Sequence, residues 1–169
     1  MLQAARFSIL ILLLSLIGCY PAYNWRLVQT DEFGWEALFP AKPNRSTRKI
    51  NILNRSREMV ITIDRYSVLV DDMNFVLDVM NYEGEVSASP GSLQGFINDA
   101  LKNNFNMTSK VEIVDGIRLD GFVGEVNTKP VVLVLKHLKN NYSLARGAVI
   151  STPHSFKNEK AEFFLNSIK

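Results

Sequence analysis

Val131-Val132-Leu133-Val134-Leu135-Lys136-His137-Leu138-Lys139, then Asn140-Asn141, then Tyr142-Ser143-Leu144-Ala145-Arg146-Gly147-Ala148-Val149-Ile150, is the stretch whose reading decides the fold. Two runs rich in β-branched and aliphatic residues flank an Asn-Asn pair, and Asn tolerates the left-handed backbone that a tight hairpin turn needs. The two runs therefore read as antiparallel neighbours. Val131 to Leu135 is apolar at every position, without polar alternation, so the first run reads as a central strand covered on both faces.

Upstream, Lys110–Val114 and Ile117–Val126 read as two more strands. Before them, Ser89-Pro90 joins a capping residue to one that fits the first helical position. Leu93, Phe96, Ile97, Ala100, Leu101 and Phe105 then recur at helical spacing, which predicts a helix packing one apolar stripe against a sheet. Thr47 to Asn81 has the pattern of a meander: Lys49–Leu53, a polar turn over 54–57, Met59–Ile63, a turn at Asp71-Asp72, and Phe75–Met80. Within it the apolar parity switches from Met59, Ile61 and Ile63 to Tyr66, Val68 and Val70. A one-residue slip turns a strand's apolar set toward water, so the switch predicts a bulge or break near Asp64-Arg65. Trp25–Val28 and Trp35–Phe39 are short strand-like pieces around a turn-rich stretch, the second stopped by Pro40 and Pro43. Downstream, Thr152-Pro153 is a second cap-and-first-turn pair, opening a helix that carries Phe156, Ala161, Phe163, Phe164 and Ile168. Helices follow blocks of strands and do not alternate with them. The fold class expected is α+β, a mainly antiparallel β-sheet with helices packed on it.

The residues that carry a resemblance are Phe39-Pro40-Ala41-Lys42-Pro43 after an initial strand, the long strand ending near Tyr66, the central helix, the Val-rich hairpin and the closing Ala161–Ile168. Together they look like PsbP-like domains and small bacterial envelope proteins of that fold. The resemblance implies a curved antiparallel sheet between helices, an α/β/α sandwich, over nearly the whole chain beyond the leader. It also implies a non-enzymatic accessory or binding role, and it maps no functional motif onto particular positions here.

The first 18 residues are of a different kind: 13 of them are hydrophobic. Met1–Arg6 is a short basic start and Phe7–Ile17 an 11-residue, mostly apolar run. A membrane-spanning helix needs about 20 such residues, so the length is that of a secretory signal peptide. An uncleaved anchor helix extended through Tyr20 and broken at Pro21 is the competing reading. Leu16-Ile17-Gly18-Cys19 resembles the lipobox of bacterial lipoprotein precursors. That resemblance implies diacylglycerol on Cys19, recognition of Leu16, Ile17 and Gly18 by the signal peptidase, cleavage after Gly18, and acylation of the new amino terminus. Tyr20 in place of Asp after the cysteine implies sorting to the outer membrane, at its periplasmic face. The expected organisation is therefore a cleaved signal peptide over 1–18, a lipidated tether over 19–24 and one α+β domain over 25–169. Tyr20, Tyr23 and Trp25 are either amphipathic aromatics at headgroup depth or, for Trp25, part of the core.

Beyond the leader, 18 basic residues face 17 acidic ones. That balance excludes the basic surface of a nucleic-acid-binding protein. With one cysteine in the chain no disulfide forms. His137 and His154 stand in no metal-binding spacing. Asp71-Asp72 lacks the ladder of oxygen ligands of a calcium loop. Gly116, Gly121 and Gly124 do not have the spacing of a phosphate loop, and no serine sits in a nucleophile elbow. No catalytic residue, cofactor site or metal site is therefore expected. Lys129, Lys136, His137, Lys139, Arg146 and Arg118 form a basic grouping if the hairpin pairs, read as a solvated hairpin end guarding strand edges, with a surface for acidic headgroups or a partner as the alternative. The function expected is a non-catalytic lipoprotein, membrane-held through Cys19, that binds another envelope protein as an accessory or assembly factor. The alternative is a small-ligand-binding or hydrolytic envelope protein whose site assembles only in three dimensions.

Overall fold

The computed structural model describes residues 22–31, 33–54, 57–83, 108–114, 117–126, 129–139 and 143–169. Strands β1 (Arg26–Gln29) and β2 (Glu36–Phe39) make a two-stranded antiparallel ribbon. The strands β3 (Asn44–Asn54), β4 (Arg57–Val70), β5 (Met73–Glu83), β6 (Thr108–Val114), β7 (Ile117–Val126), β8 (Lys129–Lys139) and β9 (Ser143–Ser151) form one seven-stranded sheet. Its order is β3-β4-β5-β9-β8-β7-β6, antiparallel at every step. The chain thus lays down two meanders, β3 to β5 and β6 to β9, and joins them where β5 pairs with β9. Among the described residues there is one helix, α1 (Asn158–Ser167). A mainly antiparallel sheet with a helix packed on it is the α+β arrangement expected.

The two runs that decided the fold pair as antiparallel neighbours, with Val132 opposite Ser151 and Lys139 opposite Leu144, while the turn expected at Asn140-Asn141 lies outside the described residues. The first run, β8, is interior, between β7 and β9, as expected, but the expectation that it is covered on both faces holds only in part. The middle position of the sheet belongs to β9, which is covered on both faces, whereas Val132 and Val134 of β8 are only half-buried. Apolar bulk misled here, because a strand can be covered on both sides through small residues. Ala145, Gly147 and Ala148 let neighbouring layers approach closely. A Cβ added to Gly147 would lie 2.2 Å from Ile168 Cδ1 and 2.9 Å from Leu165 Cδ2.

The expected bulge near Asp64-Arg65 is also corrected. β4 pairs in one unbroken register with β3 and with β5 along its described length. The parity switch has another cause, since the two ends of this 14-residue strand are buried on opposite faces of the sheet. Ile61 and Ile63 join Met80 and Leu144 on one face, while Tyr66, with Val68 and Val70 beside it, joins the cluster beneath α1 on the other. That second cluster packs Phe39 from β2, Phe75 and Leu77 from β5, Val149 from β9 and Phe164 and Leu165 from α1. Edge-to-face contacts run from Phe164 to Phe39 at 5.0 Å and to Phe75 at 5.5 Å between ring centres.

Asp71 and Asp72 have φ of 49° and 60° and make the two-residue turn between β4 and β5. Positive φ at both positions is the geometry that matches the twist of a hairpin, and Asp tolerates it through its short polar side chain. The helix expected from Thr152-Pro153 starts later than predicted. Thr152 O and Oγ1 both accept from Ser155 N, which closes an isolated turn over Pro153–Ser155, and the backbone is extended at Lys157 before α1 begins. His154 therefore lies in that turn, and Phe156 and Ile168 flank the helix. The chain then pairs Lys169 with Glu36 by reciprocal backbone hydrogen bonds, fastening the end of α1 to β2. The helix predicted after Ser89-Pro90 lies outside the described residues, as does the segment 1–21.

Candidate functional site

Register alone builds a row of polar side chains across the middle of the sheet. Arg65 on β4 stands opposite Asp78 on β5, Asp78 opposite Arg146 on β9, and Arg146 opposite His137 on β8. Strand alternation turns all four away from α1, onto the face that buries Ile61, Met80, Leu133 and Leu135. Asp78 is 0% exposed. Arg65 grips it with both prongs, Nε to Oδ1 at 2.7 Å and Nη2 to Oδ2 at 2.9 Å, and Arg146 Nη2 donates to Oδ2 as well.

Burial alone would push the Asp78 carboxyl up. The hydrogen bonds from Arg65 and the charge of Arg146 outweigh that cost and hold it below the ordinary carboxylate range. The bond to Asp78 likewise raises the Arg65 guanidinium against its own burial. Among the described residues two guanidinium groups thus meet one carboxylate, and of the two cations Arg146 is the more deeply buried. Arg146 Nε is buried and has no hydrogen-bond partner among the described residues. A buried donor of this kind recognises a carboxylate, phosphate or carbonyl oxygen, because charge-assisted bonds to Arg strengthen as water is excluded.

The basic grouping expected from sequence is divided by the pleat. Lys136, next to His137, points to the other face and is nearly buried under α1, where its Nζ donates to Leu165 O at 2.9 Å. A cation at the carbonyl end of a helix is favourable, but burial still pushes this ammonium below its usual value. Lys139 is exposed, and the side chains of Lys129 and Arg118 lie outside the described residues. The reading of Lys136 and Arg146 as a solvated hairpin end is therefore corrected. Both are structural cations, one on each face.

A second cluster marks where the chain enters the described body. Asn24 N donates to Pro40 O at 2.7 Å. Tyr23 stacks on Trp25 at 5.9 Å, both rings meet Phe75 edge-on, and Trp25 lies 4.6 Å from the ring of Phe163 on α1. Lys157 and Lys160 place their ammonium groups 5.4 and 5.3 Å from the centre of the Tyr23 ring. Lys157 also bonds Asp71 Oδ2 at 2.8 Å, which raises the lysine and lowers the carboxyl. Burial raises the Tyr23 hydroxyl, partly offset by Lys157. Trp25 thus packs against the core, and Phe163 remains 48% exposed beside it.

Leu16, Ile17, Gly18 and Cys19 lie outside the described residues. His137 and His154 are on separate elements, one in β8 and one in the turn before α1. Among the described residues no group of three or more His, Cys, Asp or Glu could hold a metal ion, and no helix is long and apolar enough to cross a membrane. The sequence reading missed Asp78 and Arg65. Both sit in strands whose other residues look ordinary, and a charged residue at an inward strand position was the one available signal. Compared with protein-family models, curated proteins and solved structures, the chain matches none.

Proposed function

We propose that this chain is a bacterial lipoprotein, cleaved between Gly18 and Cys19, acylated on Cys19 and held at the periplasmic face of the outer membrane. Its α+β domain, of the PsbP-like α/β/α type, acts there without catalysis as a binding module for another envelope protein. The observation that carries the binding role is β3. It is an 11-residue edge strand whose outer edge has no partner strand among the described residues, with Asn44 to Lys49 exposed. Unpaired strand edges accept an extended segment from another chain by main-chain hydrogen bonds. β3 carries Arg48 and Lys49 and no acidic residue, while its Arg45 is taken up by Asp31 and Asp64. Like charges oppose pairing of two copies and favour an acidic segment of a different protein.

Photocrosslinking and pull-down from membranes, with the full chain, tests the reading. The native chain incorporates labelled fatty acid and captures a membrane protein. Cys19→Ala loses the label, and Arg48→Glu/Lys49→Glu keeps the label and loses the captured protein. A native chain without label removes the lipoprotein reading, and capture unaffected by the β3 changes removes the binding edge.

A second reading, a small anionic ligand held on the sheet, is supported by Arg146 Nε alone. A carboxylate- or phosphate-bearing compound that stabilises the native chain and not Arg146→Met would favour it.

A further inference from the structure

The position of the chain entry has a geometric consequence that rests on the lipoprotein reading. Cys19 precedes Tyr23 by four residues, and four extended residues span about 14 Å at most. Tyr23 is fixed to the body by its stack on Trp25, and Asn24 by its hydrogen bond to Pro40. Acyl chains on Cys19 enter the bilayer at the headgroup boundary, so whatever surrounds Tyr23 lies within that same distance of the lipid. What surrounds it is the aromatic cluster.

That cluster also borders exposed apolar side chains. Leu27 is 55% and Phe163 48% exposed, two of the three large hydrophobic residues left open to solvent among the described residues. Phe163 touches Trp25, and Leu27 lies in β1, the strand that Trp25 immediately precedes. Tyr23 and Trp25 beside them combine an apolar ring with a polar tip, the chemistry that concentrates at membrane interfaces. Lys160 and the exposed Arg26 supply donors for phosphodiester oxygens. Neither has an ion-pair partner among the described residues, while Lys157 is held by Asp71. Glu159, one helical turn before Phe163, offsets part of that charge.

We propose that the patch formed by Tyr23, Trp25, Leu27 and Phe163, flanked by Lys160 and Arg26, is the face with which the domain lies on the phospholipid interface. The anchor sets the distance and the patch sets the orientation. Ring insertion outweighs charge, because Glu159 leaves little net positive potential there, so raising salt should alter the docking less than twofold. With this face down, α1 and the β1–β2 ribbon rest on the membrane. The β3 edge is then free to take a partner from the aqueous side.

The test uses the full acylated chain in vesicles of phosphatidylethanolamine and phosphatidylglycerol. Cys19 is the one cysteine of the sequence and is blocked when acylated, so Phe163→Cys carries the single reactive thiol for an environment-sensitive dye. Leu27→Cys gives an independent position in the same patch. Lys139→Cys, exposed at the opposite end of β8 from the β9–α1 connection, is the control. Spin-labelled lipids should quench the dye at 163 and at 27 at least threefold more than at 139, with a blue-shifted emission at the first two. An acylated chain in which the three positions are quenched alike overturns the docking face and leaves the lipoprotein reading intact. Mass spectrometry that finds Cys19 unmodified removes that reading and this inference with it.

Discussion

Replacing Asp78 by Asn removes the charge that two guanidinium groups share while keeping the side chain's shape. Arg65 loses a bidentate ionic contact and Arg146 its one ionic partner among the described residues. The two arginines do not suffer equally. The Arg65 side chain is 35% exposed and can turn its head toward water, but that of Arg146 is 11% exposed and cannot. Leaving a buried charge without its partner costs about 3–5 kcal/mol. Most of that falls on Arg146, and a retained amide oxygen that can still accept one bond from Arg65 places the loss toward the lower end. Urea unfolding followed by the fluorescence of Trp35, buried and bonded through Nε1 to Ser143 Oγ at 2.8 Å, measures it. Arg146→Met, which leaves the Arg65 pair whole, should cost clearly less. Replacing all three by apolar residues of similar volume should recover most of the loss. A loss below about 1 kcal/mol for Asp78→Asn, the range of a surface pair, would refute the view that Asp78 is the counter-charge that holds the buried Arg146. The same pair fixes the acid limb. Because the folded carboxyl is held below its unfolded value of about 3.9, its contribution is complete above that pH and is lost as pH falls through the folded value.

Lys136→Met should be neutral or stabilising at pH 7, since it removes a buried ammonium whose folded value is depressed. In the native chain the cost of that charge is present below the folded value and is relieved as pH rises from there toward about 10.4, so the gap between the two proteins in thermal melts narrows over that range. Phe164→Ala deletes a fully buried ring that contacts Phe39 and Phe75, and should cost about 3–5 kcal/mol by the same urea assay. Asp72→Gly relieves a left-handed residue, φ 60°, that has no ion-pair partner among the described residues. It should gain about 1 kcal/mol, a rise in Tm of roughly 2–4 °C by scanning calorimetry.

The strands at the two meanders, the β8–β9 hairpin and the turn at Asp71-Asp72 were legible because their signals are local. Period-two alternation, β-branched runs and turn residues act over a few positions. The break expected in β4 shows where local logic ends. Parity alone does not say whether an apolar set has changed register or changed the face that is covered, and only the packing of Tyr66 beneath α1 and of Ile61 on the far face distinguishes the two. The central place of β9 was illegible for a similar reason. Small residues carry little hydrophobic signal, yet they are what a strand needs when α1 presses on it at Gly147.

By itself the sequence determined the antiparallel class of the sheet and its hairpins, since each rests on residues that are neighbours in the chain. The tertiary structure decided that β5 and β9, more than sixty residues apart, lie side by side, and with that it assembled Arg65, Asp78 and Arg146 into one row. Burial of a charge is a property of the whole fold. No local pattern marks which aspartate among many will be closed between two arginines, or that Phe163 of the closing helix will stand beside Trp25 where the chain comes in.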